Sequence, residues 1–240
     1  MTDEKRINIE TGKPDVGAMV VRGTVGLIPV LGPILGEIIT HFIPNQRQDR
    51  ISDYIQRLDV QLSDLHEQIV REKMKDASAI DLFEEGGFQS ARALSDKRRD
   101  EVSALVAYGI RGEDKERIEA KRLLLLFREV DDDQIVILCS YLRRYQQDEM
   151  FQERHRHILD PFVAHLGSDD EEFDRATMYE LSKQQLCSLG LLSTSFKSIR
   201  KGEIPEFDSN TGMMKASYTQ ISPLGRLLLR RVGLADDNDY

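Results

Sequence analysis

The sequence contains no tryptophan, only two cysteines and few of the residues that build turns, with 16 glycines and 7 prolines among 240 residues. The scarcity of glycine and proline argues against a loop-rich β-sandwich. Cys139 and Cys187 both fall within apolar helical patterns, so we expect buried thiols rather than a disulfide framework. These shortages favour a helical chain.

Basic charge is also in short supply. The chain carries 33 lysines and arginines against 42 aspartates and glutamates, which gives a net charge of −9 at pH 7. A protein this acidic binds nucleic acid poorly unless its basic residues are segregated. The polar residues 1–14 lack the apolar run of a secretory signal, so we expect a cytoplasmic protein.

The residues that could carry chemistry form none of the familiar motifs. The sequence has no GxSxG, HExxH, CxxC, GxxxxGK[ST] or GxGxxG. His155 and His157 are two residues apart and would face different sides of a helix, which makes a poor metal pair. A solvated helix start explains Asp131–Asp133. We therefore expect no enzyme activity, no cofactor, no metal site and no small-molecule substrate.

Residues 16–44 form the unusual part of the chain. The 14 residues from Gly23 to Gly36 carry no charge, and Pro29 and Pro33 break or kink any helix there. A spanning helix needs about 20 apolar residues, so a lone transmembrane helix is not expected. Three interpretations stay open: a buried hairpin that plugs a bundle, a conditional membrane segment that is sheltered at rest, and a contact between copies. The candidate membrane or assembly residues are Leu27, Ile28, Val30, Leu31, Gly32, Ile34, Leu35 and Gly36.

A long helix is predicted over residues 45–75. Its apolar residues recur at steps of four and three, which is the a/d pattern of a narrow packing seam. The partner of this seam is either the rest of the same bundle or a second copy. The seam residues are Ile51, Ile55, Leu58, Leu62, Leu65 and Ile69.

Further helices are predicted between residues 77 and 166. The first of them is interrupted at Gly86-Gly87, and the helix over 114–128 ends in five residues that are apolar on every side and therefore buried. The helix over 131–145 begins with three aspartates, which suit a helix N-terminus. Residues 148–166 form a last helix, interrupted at Pro161.

The pattern changes after Gly167. A helix stops at Gly190, strand character follows over 191–200 and 213–221, and a final helix begins with Ser222 as its N-cap. Helix, hairpin and helix is the order found around the wing of a winged-helix unit. The fold class is therefore mostly α, with an N-terminal helical bundle followed by a small α+β winged-helix-like unit. The expected domains are a tail at 1–14, the bundle at 15–166, the winged-helix-like unit at 167–234 and a tail at 235–240.

The C-terminal unit has its own charge. Residues 193–233 carry seven basic side chains against three acidic ones. A basic wing could contact phosphates, but the helix before it has Lys183 as its only basic residue over 177–189. Docking of a basic unit on an acidic bundle explains the asymmetry equally well. The possible nucleic-acid contacts are Gln184, Gln185, Lys197, Arg200 and Lys201.

Three stretches together resemble bacterial proteins of the abortive-infection alpha type: GTVGLIPVLGPILGEII at 23–39, NQRQDRISDYIQRLDVQL at 45–62, and GLL at 190–192 with YTQISPLGRLLLRRVGL at 218–234. The resemblance implies a link to phage defence. The apolar start is also similar to that of fungal and bacterial helical-bundle death domains, which expose an N-terminal segment to membranes. The resemblance covers the two ends of the chain and supplies no catalytic residue.

These observations predict a non-enzymatic bacterial defence-type effector or adaptor. Its apolar segment, residues 16–44, would act in membrane association or in assembly. A protein partner or self-association is expected, and conditional membrane association of a cytoplasmic protein is compatible with the pattern. The alternative, which the acidic charge disfavours, is a winged-helix DNA-binding regulator.

Overall fold

A computed structural model describes most of the chain and is mostly helical, with eleven helices and one two-stranded antiparallel sheet near the C-terminus in the described part. This confirms the mostly α class with a small α+β unit. The chain divides into two compact units, Met1–Arg117 and Ile118–Tyr240. The boundary near residue 166 that the sequence predicts is a different one and stays a prediction. The described residues are Leu31, 48–160, 169–200, 202–207, 214–236 and Asp239.

The first unit is built from amphipathic helices whose apolar faces meet. Helices α1, α3 and α4 pack on one another, and α2 packs on α4. Helix α5 begins at Asp114, just before the division between the units. The bounds are α1 (Gln48–Leu62), α2 (Glu67–Lys73), α3 (Ala77–Arg92), α4 (Asp96–Arg111) and α5 (Asp114–Arg128).

The single helix predicted over residues 45–75 is corrected to two helices, α1 and α2. The Ser63 hydroxyl donates to the Val60 carbonyl at 2.8 Å. His66 then caps α2, because its Nδ1 accepts from the Gln68 N–H at 3.4 Å. Local bonds from side chain to backbone compete with helix continuation, and so they mark the break between the two helices.

The predicted interruption at Gly86-Gly87 is wrong, because α3 runs through both glycines. A Cβ atom at Gly86 would lie 2.6 Å from the Tyr54 hydroxyl oxygen and 2.6 Å from Val106 Cγ2. Glycine at this position lets α3 approach α1 and α4 closely. The buried Tyr54 hydroxyl donates to the Phe83 carbonyl at 3.0 Å, which joins α1 to α3.

The second unit begins at Ile118, within α5, and continues through short helices. In the apolar stretch 123–127 of α5, Leu123, Leu124 and Phe127 are buried, but Leu126 is half-buried and Leu125 is exposed, so the predicted burial on every side is wrong. Asp131 caps α6 in a capping box with Gln134, as an aspartate at a helix start predicts. Cys139 is buried and Cys187 is half-buried. The following helices are α6 (Asp132–Ser140), α7 (Arg143–Gln146), α8 (Glu149–Arg154) and α9 (Arg156–Leu159). The single helix predicted over 131–145 is therefore corrected to α6 and α7, which are separated at Tyr141 and Leu142.

The helix predicted over 148–166 is corrected to α8 and α9, which are separated at His155. His155 N donates to the Phe151 carbonyl at 3.1 Å and ends α8, and its ring lies 4.8 Å from the Phe151 ring. The predicted interruption at Pro161 lies outside the described residues.

The C-terminal part follows the predicted order of helix, hairpin and helix. It comprises α10 (Asp170–Ser188), β1 (Leu192–Phe196), β2 (Ala216–Ile221) and α11 (Pro223–Arg231). The strands pair antiparallel, with Leu192 opposite Ile221. The Ser222 hydroxyl accepts from the Gly225 N–H at 2.9 Å, which confirms the predicted cap of α11.

Candidate functional site

Leu31 is the residue of the apolar segment that the structure describes, and it is fully buried. Its backbone N–H donates to Asp59 Oδ1 at 2.9 Å. Asp59 lies on α1 and is only 8% exposed. At Leu31, therefore, the apolar segment has a defined docking point on the bundle.

The docking point is a polar contact set among apolar side chains. Ile55, Leu58 and Leu62 of α1 are all fully buried, and Asp59 follows Leu58 directly. Burying a carboxylate is costly unless it is hydrogen-bonded, and a backbone N–H is a suitable partner. Apolar contact alone has no directional preference. The hydrogen bond from Leu31 to Asp59 therefore fixes the position of Leu31 on α1.

Asp59 is the residue that sequence reasoning missed. It stands four residues after Ile55 and three before Leu62, and this spacing places it on the apolar face of α1. A charged side chain on such a face was the available signal. The other candidate residues of the segment lie outside the described residues; they are Leu27, Ile28, Val30, Gly32, Ile34, Leu35 and Gly36.

The predicted seam holds along α1 and ends at the break after it. Ile51 and Leu65 are half-buried, whereas Ile69 is 48% exposed. In α2 the fully buried residue is Val70, one position later than the seam predicts. The break at 63–66 changes the rotation of the helix, so the regular spacing no longer points to one side. The seam residues that are fully buried are Ile55, Leu58 and Leu62.

An ion-pair network joins α1 to α4 beside this face. Arg57 Nε and Arg99 Nε lie 2.8 Å and 2.6 Å from Asp53 Oδ2. Arg57 also contacts Asp96 at 3.3 Å and pairs with Asp100. Burial is the largest single influence on the Asp53 carboxyl and raises its pKa, but the hydrogen bonds and charges of the two arginines together lower the pKa below its usual value. A carboxylate held ionised in this way joins helices and is poorly suited to proton transfer near neutral pH.

Gln185, a candidate base-reading residue, is engaged inside the fold. Its Nε2 donates to the Glu129 carbonyl at 2.7 Å, and its Oε1 accepts from Gln134 Nε2 at 2.9 Å. Its neighbour Gln184 is exposed. The Nζ atom of Lys183 lies 3.2 Å from Glu180 Oε1. Helix α10, which would enter a DNA groove, thus uses Gln185 to pack against the preceding elements of the same unit.

Lys197 and Arg200, the basic candidates of the hairpin that the structure describes, are exposed. Lys197 Nζ lies 3.3 Å from Glu203 Oε1, and the backbone N–H of Arg200 donates to Glu203 Oε2 at 3.2 Å. Lys201 lies outside the described residues. Glu203 therefore balances part of the positive charge of this loop.

Metal-binding clusters and membrane-spanning helices can be assessed for the described residues alone. Within them, no group of three or more histidine, cysteine, aspartate or glutamate side chains could hold a metal ion. None of the helices in the same part of the chain is long and apolar enough to cross a membrane.

Comparison of the chain with known protein families, with curated proteins and with solved structures found no match. The resemblance to abortive-infection alpha proteins therefore stays a prediction. What the protein does has to be argued from its own residues.

Proposed function

We propose that this protein is a non-enzymatic effector or adaptor of the bacterial defence type, in which residues 16–44 act on a membrane or in assembly. In the resting state the segment is held on the bundle, and it acts when it is released. The observation that carries the proposal is the buried hydrogen bond from the Leu31 N–H to Asp59 Oδ1, which holds Leu31 on α1.

The composition of the segment supports two alternative environments. Inside a helix each glycine costs about 1 kcal/mol relative to alanine and each proline about 3 kcal/mol, so this segment makes a poor core helix. Its 14 uncharged residues from Gly23 to Gly36 are also too apolar for water. A hydrogen bond to a charged group contributes roughly 1.5–3 kcal/mol. Losing one such bond would change the released population by about tenfold or more.

The test compares two substitutions at Asp59 in the full chain. Asp59→Leu removes the acceptor and leaves the Leu31 N–H without this buried partner, at a cost of about 1–3 kcal/mol. Asp59→Asn keeps an oxygen acceptor of the same shape. In vesicle flotation and dye leakage, we expect Asp59→Leu to bind and permeabilise vesicles at roughly tenfold lower protein concentration than the native chain. Asp59→Asn, whose neutral oxygen forms a weaker bond, should fall between the two.

A further variant separates release of the segment from general unfolding. Ile28→Asp and Leu35→Asp, added to Asp59→Leu, place two charges in the segment and should abolish vesicle binding. Circular dichroism reports whether the helices persist in each variant. If the charged variant floats as well as Asp59→Leu, or if Asp59→Leu floats no better than native, residues 16–44 are ordinary core and the proposal is wrong.

The exposed basic side chains of the hairpin support a second candidate, a DNA-binding regulator. Arg200 and Lys215 are both exposed there. A gel shift with steep salt dependence, abolished by Arg200→Glu and Lys215→Glu, would favour it. Binding that survives this reversal would exclude it. The internal role of Gln185 and the acidic character of α10 count against this candidate.

A further inference from the structure

The hairpin presents an apolar surface with basic side chains among it. Ile204 is 83% exposed, and Lys197, Arg200 and Lys215 are exposed on the same hairpin. Five large apolar side chains of this hairpin are exposed to solvent. Single exposed apolar residues are normal on a protein surface, but five on one hairpin are more than that accounts for. This hairpin surface has as its apolar members Phe196, Ile199, Ile204, Phe207 and Tyr218.

Helix α10 presents a second surface with the opposite charge. It has 19 residues, of which Leu186 is the buried one, so its first turns are uncovered in the unit. Asp170, Asp174, Met178 and Leu181 follow one another at steps of four, four and three, which places them on one face. All four are exposed, and so is Phe173, which precedes Asp174. These five residues are the helix surface.

The two surfaces are complementary in chemistry. Both combine exposed apolar side chains with charge, and the charges differ in sign. Residues 193–221, which form the hairpin and its loop, carry four basic side chains against three acidic ones, whereas α10 carries five acidic side chains against two basic ones. Oppositely charged patches steer partners together and fix their register. An anionic lipid surface or a nucleic acid would satisfy the hairpin surface but would repel the helix surface.

We propose that the hairpin surface of one copy binds the helix surface of a second copy. This inference goes beyond the proposed function, because it involves neither residues 16–44 nor Asp59. The two surfaces differ, so the contact is head-to-tail, and each copy keeps one surface open for the next. Such a contact produces rings or open chains rather than closed two-fold dimers. Its small size makes it weak and its charges make it sensitive to salt.

The test uses reciprocal charge reversal in the full chain. The hairpin variant carries Arg200→Glu and Lys215→Glu, and the helix variant carries Asp170→Lys and Asp174→Lys. Sedimentation velocity over a micromolar concentration series measures self-association at low and high salt. We expect the native chain to associate in a salt-sensitive way and each variant alone to need at least roughly tenfold more protein, because like charges now meet.

Mixing the two variants gives the decisive result. In the mixture the native hairpin of one variant meets the native helix of the other, and the two reversed surfaces also match in charge. Association should therefore return to the native level. Leu94→Ser, which changes an exposed apolar residue outside both surfaces, should leave association unchanged.

Three outcomes would overturn the contact: a native chain that stays monomeric throughout, single variants that associate like native, or a mixture that stays dissociated. If the native chain is monomeric and the hairpin variant loses binding to anionic vesicles or to nucleic acid, the hairpin surface has that other partner. Flotation of Asp59→Leu with zwitterionic vesicles does not depend on these charges, so the failure of either proposal is distinguishable from the failure of the other.

Discussion

Asp53 shows how a single side chain depends on its surroundings. Its carboxylate lies within 2.8 Å of Arg57 Nε and 2.6 Å of Arg99 Nε, and it is bonded to α4 through Arg99. Burial raises its pKa, but the two arginines together outweigh burial, so the pKa in the folded protein lies below the unfolded value. A carboxyl group of this kind stabilises the fold above its unfolded pKa and loses that contribution as pH falls through its folded pKa.

The pH dependence of stability follows from this sign. Thermal unfolding of the native chain should shift to lower temperature as the pH falls from about 5 towards 3, across and below the ordinary aspartate pKa of about 3.9. Asp53→Asn should be less stable than native near neutral pH and should lose less stability over the acid range. Calorimetry at several pH values measures both quantities. Parallel curves for the two proteins would show that the Asp53 carboxylate contributes nothing to the acid sensitivity.

At the scale of the element, neighbouring glycines in α3 have different roles. A Cβ atom at Gly86 would lie 2.6 Å from both Tyr54 Oη and Val106 Cγ2, whereas one at Gly87 would lie 3.7 Å from Tyr54 Cε1, an ordinary contact. Gly86→Ala should therefore destabilise the fold by about 1–3 kcal/mol through overpacking. Gly87→Ala should stabilise it by up to about 1 kcal/mol, because alanine favours the helix.

Urea unfolding of the two glycine variants measures the difference directly. The pair is matched, since each variant adds one methyl group to the same helix and differs only in what that methyl meets. Equal stability changes in the two variants would mean that α3 does not approach Tyr54 and Val106 as closely as the structure has it.

A second adjacent pair tests how α10 is held. Gln185→Ala removes the bonds to the Glu129 carbonyl and to Gln134 Nε2, and Gln134 is itself buried. We expect a loss of about 1–3 kcal/mol in the free energy of unfolding. Gln184→Ala, on the exposed side, should change stability by less than about 0.5 kcal/mol. The DNA-binding alternative makes the opposite demand, that both substitutions weaken DNA binding while stability is preserved.

At the scale of the whole molecule, the net charge of −9 opposes approach to anionic membranes. If the apolar segment supplies the membrane affinity, binding of Asp59→Leu to anionic vesicles should strengthen as salt screens the repulsion. Binding to zwitterionic vesicles should change little over the same salt range. Flotation with the two vesicle types measures this. Binding to anionic vesicles that weakens with salt would instead assign the affinity to the basic hairpin.

The sequence by itself determined the features that depend on near neighbours. Asp131 and Ser222 cap α6 and α11 as predicted, because a cap involves residues only three positions apart. The two strands and the mostly α class follow from local apolar patterns in the same way.

Only the tertiary structure decided what distant residues do to one another. The need for glycine at position 86 of α3 depends on the close approach of Tyr54 and Val106, which lie on other helices. Gln185 accepts a hydrogen bond from Gln134, 51 residues away. Asp59 accepts one from the Leu31 N–H, 28 residues away. The spacing of apolar residues indicates which side of a helix is buried, but it does not identify the partner that covers that side. The hydrogen bond between Leu31 and Asp59, on which the proposed function rests, forms only when the chain brings Leu31 back onto α1.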